Sequence, residues 1–340
     1  MTAHRYRFQN PAVLGTVVEF SFEVTGHGEG AVDDPAADHR AEMVADALFG
    51  ELDRLQAVFS AFDDSSELCL WRSGALPGTE TSEEFAALMG PVLAWQRWSG
   101  GLFNPLTGEL SAVWAEAERE GREPDPDRLL SRASSIAEAR FEMVDGHPIR
   151  TGDCSRFNLN AVAKGWIVDR AIAGTAERFD DIDNLLVNAG GDLRHRGSGT
   201  ARVGIENPQR PYDNEPPVAV IEITDEAVAT SGASRRAFRV AGRRIGHVLD
   251  PRTGQPAEVS ASVSIVAPSA MVADVVATPA GILPPAEALE LVDRAVETAG
   301  VAVAALIIDH DGTRHPSRRW RERFGPHEAP TSDDAGSTES

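Results

Sequence analysis

Hydrophobic positions along this chain recur with two periods, and together they divide it into strands and helices. Residues 13–24 (Val-Leu-Gly-Thr-Val-Val-Glu-Phe-Ser-Phe-Glu-Val) alternate closely enough to predict a strand with Phe20 and Phe22 on one face. Residues 26–38, rich in Gly, Asp and Pro, read as a surface loop. Gly26, Gly28 and Gly30 do not complete a dinucleotide fingerprint, because no helix opens directly behind them. From about His39, the residues Val44, Leu48, Leu52, Leu55 and Phe59 fall at helical spacing, the pattern of an amphipathic helix facing a core. Thr81 with Glu84 suggests a capping box opening a second helix through Phe85, Leu88 and Leu93, kinked at Pro91. The acidic, proline-containing segment 116–127 reads as an exposed excursion.

The second half is more regular. A helix is predicted over 161–178, then an apolar strand over 184–189 and a turn at Gly190-Gly191-Asp192. Further strands are predicted near 201–206, 217–223, 227–231, 235–240 and 259–267. Ser269 is placed to cap a helix ending near Ala280, with another helix over 285–298 and a strand over 301–309. No repeat of solenoid period is present. Runs of strands with helices interspersed, without steady βαβα alternation, favour an α+β fold. The expected organisation is one domain over residues 1–325, of one unit or two interleaved subdomains, and a disordered acidic and polar tail over 326–340.

Composition changes this picture in two places. The formal charge of −21 on 340 residues repels phosphate backbones, so nucleic acid is not an expected partner. The acidic excess fits a salt-loving host or a GC-rich genome equally. Cys69 and Cys154 form no CxxC and have no accompanying His pair, which predicts buried free thiols rather than a disulfide framework or zinc site. No apolar segment follows a basic one near the start, and no run reaches about 18 apolar residues, so the expectation is a soluble cytoplasmic protein.

Candidate chemistry gathers in a few segments. Lys164, in Phe-Asn-Leu-Asn-Ala-Val-Ala-Lys-Gly, is the only lysine among 32 Lys and Arg residues. Arginine would supply the same charge, so this position favours a compact ammonium over a planar fork. Asp274 and Thr278 stand at i and i+4 on the helix begun by Ser269, a carboxylate and a hydroxyl one turn apart on one face. Hard cations such as Mg2+ take oxygen ligands of this kind. His247, in Gly-His-Val-Leu-Asp-Pro-Arg-Thr-Gly, alternates with Leu249 near a strand end and is a candidate general base, although a lone histidine is more often structural. Asn188-Ala-Gly-Gly-Asp192 and Thr230-Ser231-Gly232 could each offer backbone N–H groups to an anion.

In this order the segments resemble the ApbE family of FAD:protein FMN transferases. The resemblance rests on Leu14-Gly15-Thr16, Ser66-Glu67-Leu68, Gly101-Leu102-Phe103-Asn104-Pro105 and Asn158 to Gly165. It continues with Asn188 to Asp192, Thr230 to Gly232, His247 to Gly254, and Ala273-Asp274 to Thr278. Each motif alone is weak, and their fixed order carries the identification. The resemblance implies an enzyme that binds FAD and Mg2+, cleaves the pyrophosphate, and joins FMN through a phosphoester to a Thr or Ser of a target flavoprotein. It implies an FAD cleft between two subdomains, lined by Leu14, Phe62, Leu102, Phe103, Asn104, Asn158 and Val248, with Lys164 at the flavin nucleotide. The metal ligands would be the Ala161 and Ala277 carbonyls, Asp274 and Thr278, and His247 would approach the transferred phosphoryl group, with Asp274 as the other catalytic residue. Asn104 and Asn158 replace two aspartates of the family pattern, and Asn160 replaces a glycine. The amides lose charge and gain a donor. A metal-dependent FAD pyrophosphatase and a non-catalytic FAD-binding protein are the alternatives these residues leave open.

Overall fold

The computed structural model describes residues 3–25, 35–210, 215–232 and 237–325. Strands β1 (Ala3–Val13) and β2 (Thr16–Thr25) form a long hairpin. A helical stretch follows, with α1 (Pro35–Phe59), α2 (Glu67–Ser73), α3 (Glu83–Trp98), α4 (Gly108–Glu120) and α5 (Pro126–Ser135). A small hairpin, β3 (Phe141–Val144) and β4 (His147–Arg150), precedes α6 (Ala163–Arg178). Then come β5 (Ile182–Ala189), β6 (Asp192–Arg196), a hairpin of β7 (Ala201–Ile205) and β8 (Ala219–Ile223), and β9 (Ala227–Gly232). A third hairpin, β10 (Ala237–Val240) and β11 (Arg243–Gly246), leads to β12 (Ser262–Ala267). Helices α7 (Ala270–Ala280) and α8 (Pro285–Ala299), strands β13 (Ala304–Ile308) and β14 (Arg314–Pro316), and α9 (Arg318–Phe324) follow.

One eight-stranded sheet orders these elements as β1-β2-β5-β6-β9-β12-β13-β14. Its strands therefore lie side by side in chain order, and every neighbouring pair is antiparallel. The α+β expectation holds. Strands β12 and β13 are buried throughout, covered on both faces, which explains why β13 reads as a continuous apolar run. In β13 all five residues are buried: Ala305 and Ile307 join the larger core with α1, α6, α7 and α8, while Ala304, Leu306 and Ile308 join the second. That second core packs the β7–β8 hairpin and Trp320 of α9 against the opposite face. No helix among the described residues is long and apolar enough to cross a membrane.

Phe20 and Phe22 are buried as predicted, opposite Phe8 and Tyr6 across the first hairpin, with Phe8 and Phe20 stacked at 5.4 Å. Their partner strand β1 was not anticipated. Tyr6 and Phe8 alternate with polar residues there, but the run is short of aliphatics. Helix α1 begins at Pro35, so residues 35–38 are helical rather than loop; residues 26–34 lie outside those described, as do 233–236 and the predicted tail over 326–340. The cap of α3 is Ser82 and not Thr81: its hydroxyl accepts the Phe85 N–H at 3.1 Å, while Glu67 of α2 accepts the Ser82 N–H. Thr81 instead donates its hydroxyl to Gly78 O at 2.8 Å. α3 runs on past Pro91 to Trp98.

The segment 116–127 is exposed apart from Ala117 and two partly covered residues, and its middle, 121–125, is loop, while its two ends are helical. Leu110, Val113, Trp114 and Ala117 form the buried stripe of α4, and the glutamates that suggested a loop occupy its other faces. Asp125 then caps α5, with Pro126 in the first helical turn, so the same two residues are start signals. Cys69 and Cys154 are buried free thiols, and burial pushes the Cys154 thiol up to about 11.

Candidate functional site

Several of the segments that carry the candidate chemistry meet. The β1–β2 hairpin closes on Leu14 and Gly15, at φ of 55° and 68°, a pair of left-handed residues matching the twist of the strands. For leucine this conformation costs roughly 1–2 kcal/mol. Its N–H is held by the Gln56 side-chain oxygen from α1, which fixes the tip. Gly190 stands beside it: a Cβ there would come within 2.4 Å of Thr16 Oγ1, and its φ is 66°. Gly190 and Gly191 thus let the β5–β6 turn pass the hairpin tip, and Asn188 Oδ1 pins the turn by accepting the Gly191 N–H at 3.0 Å.

Lys164 reaches this turn from the first residues of α6. Its Nζ donates to Ala189 O at 3.3 Å and lies 2.7 Å from Asp192 Oδ2. Asp192 is only 5% exposed, at the start of β6. Burial pushes the Asp192 carboxyl upward, and the Lys164 charge pulls it back. The sequence singled out Lys164 but not its counter-ion. The acidic end of the Gly-Gly-Asp turn was the available signal.

Gly165 explains the residue that follows the lysine. A Cβ there would sit 2.5 Å from the Ala270 carbonyl carbon and oxygen and 2.6 Å from Met271 N, so α6 touches the backbone of α7 directly. That contact brings Asp274 beside Lys164 and Asp192. Burial, and next the charge of Asp192, push the Asp274 carboxyl well above the ordinary carboxylate range, while Lys164 pulls it down. Asp274 Oδ2 is buried without a hydrogen-bond partner. One turn on, the Thr278 hydroxyl donates to Asp274 O at 3.3 Å, leaving its lone pairs available.

A buried, unpaired carboxylate oxygen beside a hydroxyl fits a hard cation. Among the described residues no group of three or more His, Cys, Asp or Glu side chains has metal-holding geometry. Such an ion would therefore need backbone carbonyls and phosphate to complete its shell. Ala161 is half-buried two residues before α6, and Ala277 is buried on α7. Thr230 and Ser231 on β9 flank α7: Thr230 pairs with Ser264 through their hydroxyls at 2.8 Å, and a Cβ on Gly281 would lie 3.6 Å from Ser231 Oγ.

The Leu102-Phe103-Asn104 turn joins from the helical half. Leu102 and Phe103 are buried, and the Phe103 N–H is accepted by Ser99 Oγ at 2.9 Å. Pro105 O accepts the Asn158 N–H at 2.8 Å, which ties this turn to the segment leading into Lys164. Asn104 is buried; its amide donates to Ile136 O at 2.8 Å and its oxygen accepts the Leu106 N–H at 2.9 Å. Asn158 is half-buried and Val248 packs on the main core.

His247 lies exposed just beyond β11. The loop it opens is rigidly held. Val248 O accepts the Ala257 N–H at 2.9 Å, Asp250 grips Arg252 with contacts down to 2.8 Å, and Trp114 donates to Gly254 O at 2.8 Å. Leu102 and Arg252, from the two loops, line one cavity of about 480 Å³ with Leu283 and Arg294. Phe62 is different: it stands 93% exposed on a turn held by Ser60, whose hydroxyl accepts the Phe62 and Asp63 N–H groups at 3.3 and 3.2 Å. The ring is presented to solvent rather than packed.

Comparison with known proteins identifies the fold and the family. The model of the ApbE family matches residues 14–303. A FAD:protein FMN transferase from Treponema pallidum is 30% identical over 271 residues, 73% of this chain and 73% of that protein. Another, from Salmonella typhimurium, is 28% identical over 286 residues, 80% of this chain and 79% of that protein. The crystal structure of the ApbE protein from Thermotoga maritima shares the fold, with a TM-score of 0.77 at 23% identity over 94% of this chain and 99% of that one. The match runs from the hairpin tip at Leu14 through the lysine turn and the Asp274 helix, and this chain belongs to the ApbE family.

Proposed function

We propose that this transferase is an FAD:protein FMN transferase acting in the cytoplasm, which cleaves FAD in the presence of Mg2+ and attaches FMN to a Thr or Ser of a target flavoprotein. The observation that carries the reading is the buried, unpartnered Asp274 Oδ2, one turn from the Thr278 hydroxyl and alongside the Lys164 ammonium. The names of the relatives support the same chemistry.

In this reading Asp274 and Thr278, with the Ala161 and Ala277 carbonyls, would hold Mg2+, which would supply charge neutralisation at the phosphoryl oxygens. Lys164, steadied by Asp192 and Ala189 O, adds a second positive charge fixed in advance of the reaction. Leu14, Leu102, Phe103 and Asn104 bound the flavin nucleotide, and the exposed Phe62 ring offers a face on which a planar ring can stack. His247 takes the proton from the acceptor hydroxyl. That oxygen bonds to the FMN phosphorus as the bond to the AMP oxygen breaks. Positioning and charge neutralisation dominate such transfers, so no covalent enzyme intermediate is needed.

The test is FAD turnover by the purified protein with Mg2+, with EDTA, and with Asp274→Ala. Turnover should require Mg2+ and vanish in the variant while its circular dichroism stays native. Undiminished turnover by Asp274→Ala in EDTA would remove the metal assignment.

A further inference from the structure

Helix α7 carries the oxygen pair, yet what holds its first turn lies on α6. A helix start leaves four N–H groups without intrahelical partners. In α7 the three that follow the cap residue are accounted for. The Ala270 N–H is accepted by Asp169 Oδ1 at 2.9 Å and the Met271 N–H by Asp169 Oδ2 at 2.9 Å. The Val272 N–H goes to Ser269 Oγ at 3.2 Å, and the Ala273 N–H makes the first bond of the helix itself, to Ser269 O at 3.0 Å. Ser269 is the local cap visible in the sequence. Asp169 is a second cap supplied from another helix, with both carboxylate oxygens engaged.

Asp169 stands four residues after Gly165, so the two share one face of α6. Gly165 permits backbone contact with Ala270 and Met271, and Asp169 takes the N–H groups of those same residues. Behind Asp169 stands Arg194, with Nε 3.5 Å from Asp169 Oδ1 and Nη2 2.9 Å from Asp225 Oδ1. Arg194 and Asp192 are two residues apart on β6, the spacing of one strand face. That strand therefore sends Asp192 to Lys164 and Arg194 to Asp169, two ion pairs of opposite polarity on one helix. Burial pushes the Asp169 carboxyl upward, and the two N–H groups and Arg194 pull it down.

We propose that Asp169 is a positioning residue of the transferase site, locking the first turn of α7 to α6 so that Asp274 keeps a fixed separation from Lys164. A rigid clamp at Ala270 sets Asp274 because only one helical turn separates them. This inference rests on the reading of Asp274 and Thr278 as a cation site. It gives Asp169 an effect on metal affinity that a residue serving stability alone would lack.

Mn2+ binding to the full chain, measured by the paramagnetic resonance signal of the free ion with and without FAD, separates the possibilities. Asp169→Ala should weaken binding about 10–100-fold, the usual effect of losing an outer-shell support. Asp169→Asn keeps one acceptor oxygen and should lose less. In both, FMN transfer should need more Mg2+ and recover toward the native rate when Mg2+ is saturating. If Asp169→Ala does not fold, Asp169→Asn carries the comparison. Native Mn2+ affinity in the folded variants, or a rate depressed at saturating Mg2+ with affinity unchanged, would overturn this inference alone. Absence of Mn2+ binding by the native chain, with FAD present, would remove the metal reading and this inference with it.

Discussion

Asn104 stands where the family pattern carries an aspartate, and its surroundings explain the exchange. Its amide N–H faces the Ile136 carbonyl while its oxygen accepts from Leu106, so the side chain must both donate and accept. A carboxylate would keep the second bond and set its other oxygen against a carbonyl. Asn104→Asp should therefore destabilise the protein by about 1–3 kcal/mol at neutral pH. A carboxyl disfavoured in the folded state has a raised pKa there, so the folded protein binds the extra proton more readily than the unfolded chain. The penalty should shrink as pH falls toward the ordinary Asp value, and urea melts at pH 7 and pH 4.5 measure both effects. Nothing local in the sequence shows that a donor is needed, because Ile136 lies 32 residues away. Lys164 was legible for the opposite reason: its scarcity is a property of the string itself. Its partner Asp192 was not, since that pairing depends on where α6 lies over β6.

Between elements, the contact of α6 with α7 sets the site, and Gly165 permits it. Alanine in a helix is favoured over glycine by about 1 kcal/mol. Here the added methyl would collide with backbone at 2.5 Å, and overpacking of that kind costs about 1–3 kcal/mol. Gly165→Ala should thus be net destabilising, and α7 amides should exchange faster with deuterium; a more stable variant with unchanged exchange would show that the helices separate freely. Helices α1, α7 and α8 were readable because their apolar spacing is local, and α7 also has Ser269 in sequence as one of its caps. The helical end of α4 within the exposed segment 116–127 was not read, because acidic residues on exposed faces outweighed the buried stripe of Leu110, Val113, Trp114 and Ala117. Thr81 and Ser82 are adjacent hydroxyl residues, and the choice between them is made by Glu67, fifteen residues earlier, taking the Ser82 N–H.

For the whole molecule, the net charge of −21 opposes compaction through self-repulsion. Molar KCl screens charges beyond about 3 Å and should raise the melting temperature. A melting temperature flat from low to molar salt would mean that the acidic excess is spread too thinly to matter. Antiparallel pairing belonged to the expected fold, but the order of strands in the main sheet was not legible, because strand neighbours depend on how the intervening helices and hairpins pack back. The set of converging segments was legible as a resemblance, and the hairpin tip, the lysine turn and the Asp274 helix do meet in space. The most direct measurement incubates the protein with FAD, Mg2+ and an acceptor flavoprotein, and reads covalent flavin on the acceptor in a denaturing gel. Native protein should label the acceptor, EDTA or Asp274→Ala should abolish the label, and His247→Ala should lower its rate by roughly 10²–10⁴-fold, the range of a positioned general base. FAD consumed with no label on the acceptor would contradict transfer, and equal labelling by native and His247→Ala protein would contradict the role of His247.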